Sequence, residues 1–438
     1  MPLIDCLTTT DALAEVFSDA SVLAAMLEFE GALARAEAAA GVIPASDAAV
    51  IFDAARRGGF DSSAIASDAR AGATPAIPLV KALRLRVRQT DPAAAAHVHA
   101  GATSQDVTDT ALILLLRRAH AIVAADHQRL EQALRALSAR HAGSIMLART
   151  LLQPAVPTTF GLKVAGWTAP IARSWRRLDR AWQQAMVVQL GGAAGTLAAL
   201  GDSGPRVAGS VARELGLRPA APWHTDRDRL GALTSACALY VAALGKAARD
   251  VALLMQSEIR EAGEPGGGSS TLPQKRNPSG CALVLAAATR LPGLVCSYLT
   301  AMMQEHERGV GGIQAEWPAI GAIVQSTGAA AAALAGVIEG LEVDPERMRA
   351  NLDATGGTIF AERAVLLLSP SLGRDRAEQV VADAIAASRG SDVPFSAALK
   401  AAAGAGLPPG ILDGIDDPGR YLGSAEWIRT QLLGGSDE

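Results

Sequence analysis

Residues 106–142 contain neither glycine nor proline, and this stretch constrains the fold more than any other feature. Apolar residues recur through it at helical spacing. They are Leu112, Leu115, Ala119, Ile122, Leu130, Ala133 and Leu137. At 1.5 Å rise per residue, such a helix spans ~55 Å, far more than a small domain needs. The stretch therefore predicts one very long helix.

Four further segments have the same character. The predicted helices span residues 158–190, 227–262, 278–305 and 316–341, with a kink expected at Pro170. Nowhere do β-branched residues alternate over several positions, so we expect no strands. Alanine dominates the apolar residues and aromatic residues make up only 4% of the chain. Since alanine is the best helix former, the sequence predicts an all-α fold around a bundle of five long helices.

The long helices are apolar on more than one face. Leu112, Ile113, Leu114, Leu115 and Leu116 are consecutive and therefore point to every side of their helix. One subunit's bundle cannot cover such a surface alone, so we expect other subunits to cover it.

The flanking segments contain shorter predicted helices that are broken by glycine and proline. We therefore expect three regions. Residues 1–105 form a small helical head, residues 106–343 form the long-helix bundle, and residues 344–438 form a small helical tail.

Composition excludes several classes of protein. The 40 basic and 44 acidic residues give a net charge of −4 without a basic block, so we expect no nucleic-acid partner. Cys6, Cys237, Cys281 and Cys296 are scattered, which is typical of a reducing compartment. No signal peptide is recognised, and Arg, Gln or Pro interrupts apolar runs before the ~18 residues of a membrane span. These features predict a cytoplasmic protein without membrane contact.

A serine-containing loop carries the strongest chemical signal. Residues 266–278, here called the Ser loop, read Gly-Gly-Gly-Ser-Ser-Thr-Leu-Pro-Gln-Lys-Arg-Asn-Pro. Glycine and serine also make flexible linkers. However, Lys275, Arg276 and Asn277 beside the start of a predicted helix are typical of an anion site, where backbone N–H groups and the helix dipole favour a carboxylate. The loop therefore predicts binding of a carboxylate.

A second segment, residues 97–106, precedes the longest helix. Thr103 and Ser104 are ordinary N-cap residues, and their hydroxyls could hold a substrate carboxylate as well. The pair His97 and His99 has metal-ligand spacing, but no third ligand follows at a suitable distance, so we expect no metal.

Two more segments are weaker signals. Residues 149–161 contain two prolines and a threonine pair, and on composition they could be a simple turn. Residues 305–312 contain His306 and Arg308, and His306 is typical of a solvated helix end.

The Ser loop resembles the signature of the fumarase/aspartase superfamily, with Leu272 in place of a methionine. Residues 101–110, residues 149–161 and the tail around residues 355–362 resemble further superfamily segments in the same order. Within the superfamily the likeness is greatest to bacterial 3-carboxy-cis,cis-muconate cycloisomerases. Adenylosuccinate lyase or a related carbon–nitrogen lyase is the alternative, and an inactive structural homologue is a remote one.

The resemblance implies a homotetramer without cofactor or metal, in which three subunits build each active site for a small tricarboxylate. It implies proton transfer by Ser269, with Ser270 as the alternative, and it places His99 near the substrate. The expected substrate-binding residues are Thr103, Ser104, Gln105, Thr150, Gln153, Lys275, Asn277 and Arg308. Leu151 stands where many superfamily lyases have a proton-transferring histidine, so the second acid or base is not identified from the sequence.

Overall fold

Helices supply almost all regular structure of the chain. The computed structural model describes residues 3–389, 391, 393–404 and 407–435. Within these ranges there are sixteen α-helices and four short β-strands. The predicted all-α fold class is confirmed.

The head contains five helices before the first long one. They are α1 (Asp11–Val16), α2 (Asp19–Ala39), α3 (Ala45–Arg56), α4 (Ser62–Gly72) and α5 (Ala76–Thr90). Thr10, Ser18 and Asp61 cap α1, α2 and α4 by accepting hydrogen bonds from backbone N–H groups of the first turn.

The long helices and one shorter helix follow. They are α6 (Ser104–Arg140), α7 (Phe160–Ala185), α8 (Gly204–Glu214), α9 (Asp228–Leu254), α10 (Ser279–Ala301) and α11 (Gly312–Glu339). All five predicted long helices are present, and Pro170 lies inside α7. Helix α9 ends at Leu254, eight residues before its predicted end at residue 262. Turns follow, Arg260 adopts a left-handed φ of 51°, and the chain enters a strand at Ala262.

The tail contains five further helices. They are α12 (Pro345–Asp353), α13 (Ala361–Leu372), α14 (Arg374–Ser388), α15 (Phe395–Ala403) and α16 (Ala425–Gly434).

The expectation that the chain lacks strands is wrong at two places. Strands β1 (Ile145–Thr150) and β2 (Gln153–Thr159) form an antiparallel hairpin, and β3 (Ala262–Gly263) pairs with β4 (Glu342–Val343). The hairpin escaped prediction because β1 is short, β2 contains Pro154 and Pro157, and a register shift between Leu147 and Arg149 interrupts the alternation.

The expected exposure of the leucine run in α6 is also wrong. All five residues from position 112 to position 116 are at most 8% exposed within a single chain. A single chain therefore covers this run without a partner. Helix α10 is the apolar helix that stays uncovered, with Leu283 37% and Leu299 45% exposed.

Among the described residues, three helices are long and apolar enough to cross a membrane by length and composition alone. They are α9, α10 and α11. Single Arg, Gln or Pro residues therefore do not exclude a membrane span, and that step of the sequence argument is wrong. In α9 and α11, 61% of the most apolar window is already buried within the chain, against 22% in α10.

The chain divides into two compact units, and the division falls inside each of the five long helices. Unit 1 comprises Met1–Gln128, Arg173–Gly245 and Leu283–Ala333. Unit 2 comprises Arg129–Ala172, Lys246–Ala282 and Leu334–Glu438. The division into head, bundle and tail stays a prediction.

Each unit has its own buried interior. In unit 1, Trp182 is fully buried and its indole N–H donates to the carbonyl of Leu116 at 3.0 Å. In unit 2, Leu147 of β1 joins a cluster of buried residues from the tail helices that includes Phe360 and Phe395.

Candidate active site

The start of α6 is organised around the buried carboxylate of Asp106. It accepts five hydrogen bonds of 2.8 to 3.0 Å, from the backbone N–H groups of Thr103, Gly191 and Gly192 and from the side chains of Gln189 and His224. Burial by itself would raise the pKa of Asp106, but the hydrogen bonds and the charge of His224 outweigh it, so that pKa lies below its usual value. An ionised Asp106 therefore fixes residues 189–192 against the segment that carries the predicted binding residues.

A second buried cluster fixes α6 to the starts of α9 and α11. The Arg227 guanidinium donates to both carboxylate oxygens of Asp109 at 2.8 and 2.9 Å and to Glu316 at 2.9 Å. All three side chains are fully buried. Burial disfavours the charged guanidinium, but the two carboxylates outweigh that effect and raise the pKa of Arg227. Gln304 donates to the other oxygen of Glu316 at 2.7 Å, which anchors the segment leading to Arg308.

Thr103 and Arg308, both predicted to bind substrate, are in direct contact. The Arg308 guanidinium donates to Thr103 Oγ1 at 3.0 Å and to the carbonyl of Ala193 at 2.9 Å. Ser104 begins α6 beside them. The arrangement places a positive charge and two hydroxyl groups at a helix N-terminus, which is suited to an anion.

Gln105 is more buried than Thr103 and Ser104. Its side chain is only 3% exposed, and its amide nitrogen donates to Asp109 at 3.1 Å and to the carbonyl of His224 at 2.8 Å. The amide thus ties the first turn of α6 to the segment before α9. Contact of Gln105 with substrate stays a prediction.

The two histidines before α6 bind different carboxylates. His97 Nδ1 lies 2.8 Å from Asp47 Oδ2, and His99 Nδ1 lies 2.6 Å from Glu30 Oε1. Within the described residues there is no group of three or more His, Cys, Asp or Glu side chains that could hold a metal ion.

Residues 149–161, which on composition could have been a simple turn, form the tip and the second strand of the hairpin and the first two residues of α7. Thr150 and Gln153 lie opposite each other as the last pair of the hairpin, and both are exposed. The two turn residues, Leu151 and Leu152, have left-handed φ angles of 50° and 65° and are 97% and 74% exposed. Such angles at both central positions are typical of a type I′ turn, in which leucine is unusual.

A buried ion pair joins this hairpin to the stem of the Ser loop. Arg149 donates to both oxygens of Glu261 at 2.7 and 2.9 Å, and Asn351 donates to the same carboxylate at 2.8 Å. The Glu261 side chain is fully buried. Because Arg149 adjoins Thr150, and Glu261 lies five residues before the Ser loop, the pair holds the two predicted segments together.

The Ser loop itself is closed at its base. Glu264 accepts from the backbone N–H groups of Gly280 at 2.6 Å and Cys281 at 3.1 Å, across the ends of the loop. Asn277 donates its backbone N–H to the carbonyl of Gly267 at 2.6 Å. A Cβ at Gly267 would lie 1.9 Å from the Asn277 carbonyl oxygen, so this position requires glycine.

The predicted catalytic and cationic side chains lie on this closed base. Ser269 Oγ accepts hydrogen bonds from the backbone N–H groups of Thr271 at 3.3 Å and Leu272 at 3.1 Å. Among the described residues, Ser270 Oγ hydrogen-bonds only with the Thr271 hydroxyl, at 3.5 Å. Lys275 is exposed and lines a cleft of about 1240 Å³. Its ammonium has no ion-pair partner within the part of the chain that the structure describes.

The predicted site residues thus form two groups, each held within one unit. The unit 1 group comprises His99, Thr103, Ser104, Gln105 and Arg308. The unit 2 group comprises Thr150, Gln153, Ser269, Ser270, Lys275 and Asn277.

The supporting role of several charged residues, most of them buried, was not predicted from the sequence. They are Glu30, Asp106, Asp109, Arg149, Arg227, Glu261, Glu264 and Glu316. One signal was available for Glu30, since a lone carboxylate between Phe29 and Leu33 in an apolar helix face needs a buried partner.

Comparison with known proteins identifies the family of the chain. A family model for lyases matches residues 6–293. A 3-carboxy-cis,cis-muconate cycloisomerase of Bradyrhizobium diazoefficiens is 43% identical, covering 99% of this chain and 97% of that protein. A nitrosuccinate lyase of Streptomyces davaonensis is 41% identical, covering 96% of this chain and 92% of that protein. The crystal structure of a 3-carboxy-cis,cis-muconate lactonizing enzyme from Pseudomonas putida matches with a TM-score of 0.93 at 41% identity, covering 99% of this chain and 98% of that one. The chain therefore belongs to the lyase family of the fumarase/aspartase superfamily and is an enzyme.

Proposed function

We propose that the protein is a cycloisomerase that closes 3-carboxy-cis,cis-muconate to 4-carboxymuconolactone in aromatic-compound breakdown. The observation that carries this proposal is the full-length match to the Bradyrhizobium diazoefficiens enzyme of that name, at 43% identity. The site supports it, since cationic side chains and a helix N-terminus occur at the predicted binding positions, as a tricarboxylate requires.

The reaction defines what the site must do. One substrate carboxylate adds across an alkene conjugated to a second carboxylate, and the carbon next to the second carboxylate gains a proton. The second carboxylate carries the extra negative charge of an aci-carboxylate in the intermediate. Fixed positive charge and N–H donors around those oxygens therefore lower the barrier.

We assign the proton transfer to Ser269 rather than Ser270. Two backbone N–H groups donate to Ser269 Oγ, and such donors stabilise negative charge on that oxygen when the proton has left. Ser270 Oγ has no N–H donor among the described residues and contacts only another hydroxyl. Ser269 is thus the better acid toward the lactone, and its oxyanion is the more readily formed base in the reverse elimination.

We assign the binding of substrate carboxylates to Arg308, Thr103 and Ser104 in one group and to Lys275 and Asn277 in the other. Lys275 is free to pair with an anion, while Arg308 is already oriented by Thr103 and Ala193. We also assign substrate binding to three further polar side chains, those of Gln105, Thr150 and Gln153.

We further infer a cytoplasmic homotetramer in which each site is shared among three subunits. Two exposed apolar features support assembly, namely the face of α10 with Leu283 and Leu299 and the hairpin tip with Leu151 and Leu152. Each buried leucine contributes ~1.5–3 kcal/mol, which favours covering them. All four cysteines are free thiols, in agreement with a reducing compartment.

A second candidate is elimination from nitrosuccinate. The Streptomyces davaonensis nitrosuccinate lyase is 41% identical over nearly the whole chain, only two percentage points below the cycloisomerase. Both reactions need a stabilised aci-carboxylate, so the described site residues fit either substrate.

Parallel assays on one preparation separate the two candidates. The purified protein is mixed with each substrate, and lactone formation is followed by NMR while nitrite release is followed colorimetrically, with Ser269→Ala as the blank. We expect lactone from the muconate and little nitrite. Nitrite release with a much higher kcat/KM would replace the proposal by the second candidate, and turnover of neither substrate would refute both.

A further inference from the structure

Glu30 is a carboxylate in an otherwise apolar position. It lies on α2 between buried residues, and only 1% of it is exposed. Its second oxygen, Oε2, is buried and has no hydrogen-bond partner among the residues that the structure describes. A buried carboxylate without compensation is strongly unfavourable. The stability of the head therefore depends on the hydrogen-bond partner of the first oxygen of Glu30, Oε1.

That partner is His99, which lies 69 residues further along the chain. The distance between His99 Nδ1 and Glu30 Oε1 is 2.6 Å, and only 16% of the imidazole is exposed. His99 has a left-handed φ of 63°, which residues other than glycine rarely adopt. Within the described residues its other ring nitrogen, Nε2, has no hydrogen-bond partner. The backbone is thus held in an uncommon conformation that presents one ring nitrogen to Glu30 and leaves the other free.

The charged groups around His99 come from three helices besides its own segment. Burial is the largest effect and lowers the pKa of His99, and Arg84 on α5 acts in the same direction. The charge and hydrogen bond of Glu30 on α2, together with the charge of Asp106 on α6, outweigh both, so the pKa of His99 lies above its usual value. Glu37, two turns beyond Glu30 on α2, has a pKa raised to about 8 by burial and by Glu30, so it is mostly uncharged near neutral pH.

We infer that Glu30 is the positioning residue for His99: it fixes Nδ1, so that Nε2 is left to face a substrate carboxylate beside the start of α6. The charge of Glu30 also favours the protonated ring, in which Nε2–H can donate to that carboxylate. This inference rests on the proposed function. Asp106 links His99 to Thr103. Its charge favours the protonated form of His99, and its carboxylate accepts a hydrogen bond from the backbone N–H of Thr103. A protonated His99 adds a second positive charge to that of Arg308, where the aci-carboxylate needs stabilisation.

The test replaces Glu30 by glutamine, which keeps the size and an oxygen acceptor for Nδ1–H but removes the charge. We expect Glu30→Gln to lower kcat on the order of 10- to 100-fold, the scale known for carboxylates that orient metal-bound histidines. KM should change less, because the charge on the substrate carboxylate is greatest in the transition state. Glu30→Asp keeps the charge and should restore part of kcat.

The pH profile separates positioning from a merely structural role. Activity that needs protonated His99 is present at low pH and is lost as pH rises through the pKa of His99. Removing the Glu30 charge lowers that pKa, so the alkaline limb of kcat/KM should move about one to three pH units toward acid in Glu30→Gln. A profile that superimposes on the wild type would overturn the inference.

Two matched controls come from the same head. Glu37→Gln removes a second buried carboxyl of α2 that is already mostly uncharged below pH 8. Asp47→Asn removes the carboxylate of the neighbouring His97 pair, whose imidazole is 36% exposed. Both should keep the position of the alkaline limb at pH values below 8. If either shifts that limb as far as Glu30→Gln does, the effect is not specific to His99, and the inference fails.

Two further measurements keep the inference testable if Glu30→Gln does not fold. NMR titration of His99 in the wild-type protein should give a pKa above ~6.5, the usual value. In a His99→Gln background, Glu30→Asp should cause no additional loss of kcat. A His99 pKa at or below the usual value, or an additional loss, would overturn the inference. The titration needs no substrate, so it is informative even if neither proposed substrate is turned over.

Discussion

At the scale of single residues, Ser269 and Ser270 are neighbours with different surroundings. The hydroxyl oxygen of Ser269 accepts hydrogen bonds from two backbone N–H groups of the Ser loop. In the described part of the chain, that of Ser270 contacts only the Thr271 hydroxyl. Turnover should therefore depend on Ser269 far more than on Ser270. Ser269→Ala is expected to lower kcat by ~10²–10⁴, the scale of a general acid or base.

Steady-state kinetics of both alanine variants check this assignment, and sedimentation should show an unchanged assembly. Ser270→Ala is the matched control and should stay within a few-fold of the wild type. If Ser270→Ala loses activity while Ser269→Ala keeps it, the assignment is off by one residue.

The sequence predicted the serines but not the groups that support them. Glycine, proline and polar residues adjacent in the chain make the Ser loop recognisable by itself. Glu30 and His99 are 69 positions apart, and Arg149 and Glu261 are 112 apart. Such pairs depend on tertiary packing, which local spacing does not encode, and this is why they were found only in the structure.

At the scale of elements, the turn of the hairpin stores strain in an exposed position. Leu151 and Leu152 both have left-handed φ angles, and each such residue costs about 1–2 kcal/mol when it is not glycine. Asparagine followed by glycine suits this turn. For the single chain, the double variant Leu151→Asn, Leu152→Gly is therefore expected to relieve about 1–3 kcal/mol of strain, measured by urea unfolding at protein concentrations too low for assembly.

The same variant should lower turnover, since proteins retain such strain mainly where a functional group requires it. Leu152→Gly alone is the control, because it relieves strain and keeps Leu151. A double variant that is both more stable and fully active would show that the tip has no part in the reaction.

Two ion pairs of unit 2 should differ greatly in their contribution to the free energy of unfolding. Glu261 is fully buried against Arg149, whereas Arg276 and Glu342 are 64% and 68% exposed. Arg149→Met leaves a buried carboxylate without its cation and should destabilise the protein by about 3–5 kcal/mol. Arg276→Met should cost at most about 1 kcal/mol. Urea unfolding of both variants measures the contrast, and equal losses would contradict the proposed anchoring of hairpin and Ser loop.

At the scale of the whole molecule, the sequence predicted the positions of the long helices better than it predicted which surfaces bury their apolar faces. Helix α6 extends from Ser104 to Arg140, within two residues of its predicted ends, because no glycine or proline interrupts it. The leucine run inside it is buried within one chain, whereas α10 is not. An apolar sequence indicates that a face must be covered. It does not tell whether the same chain or another chain covers it.

The last prediction concerns assembly. If the exposed leucines of α10 and of the hairpin tip are covered by other copies, isolated monomers are disfavoured and sedimentation should give a tetramer at assay concentrations. Ser269 lies in unit 2 and Thr103 in unit 1. If different subunits supply them to one site, co-expressing Ser269→Ala with Thr103→Ala should restore activity in about a quarter of the sites of a randomly mixed symmetric oligomer.

Ser269→Ala mixed with Lys275→Ala is the control, since both residues belong to one loop and should reach the same site together. That mixture should stay inactive. Recovery with Thr103→Ala but not with Lys275→Ala would establish a shared site, because only then does some site receive two intact segments from two defective chains. No recovery in either mixture would mean that one chain supplies both groups. A fully active monomer would refute both the assembly and the sharing.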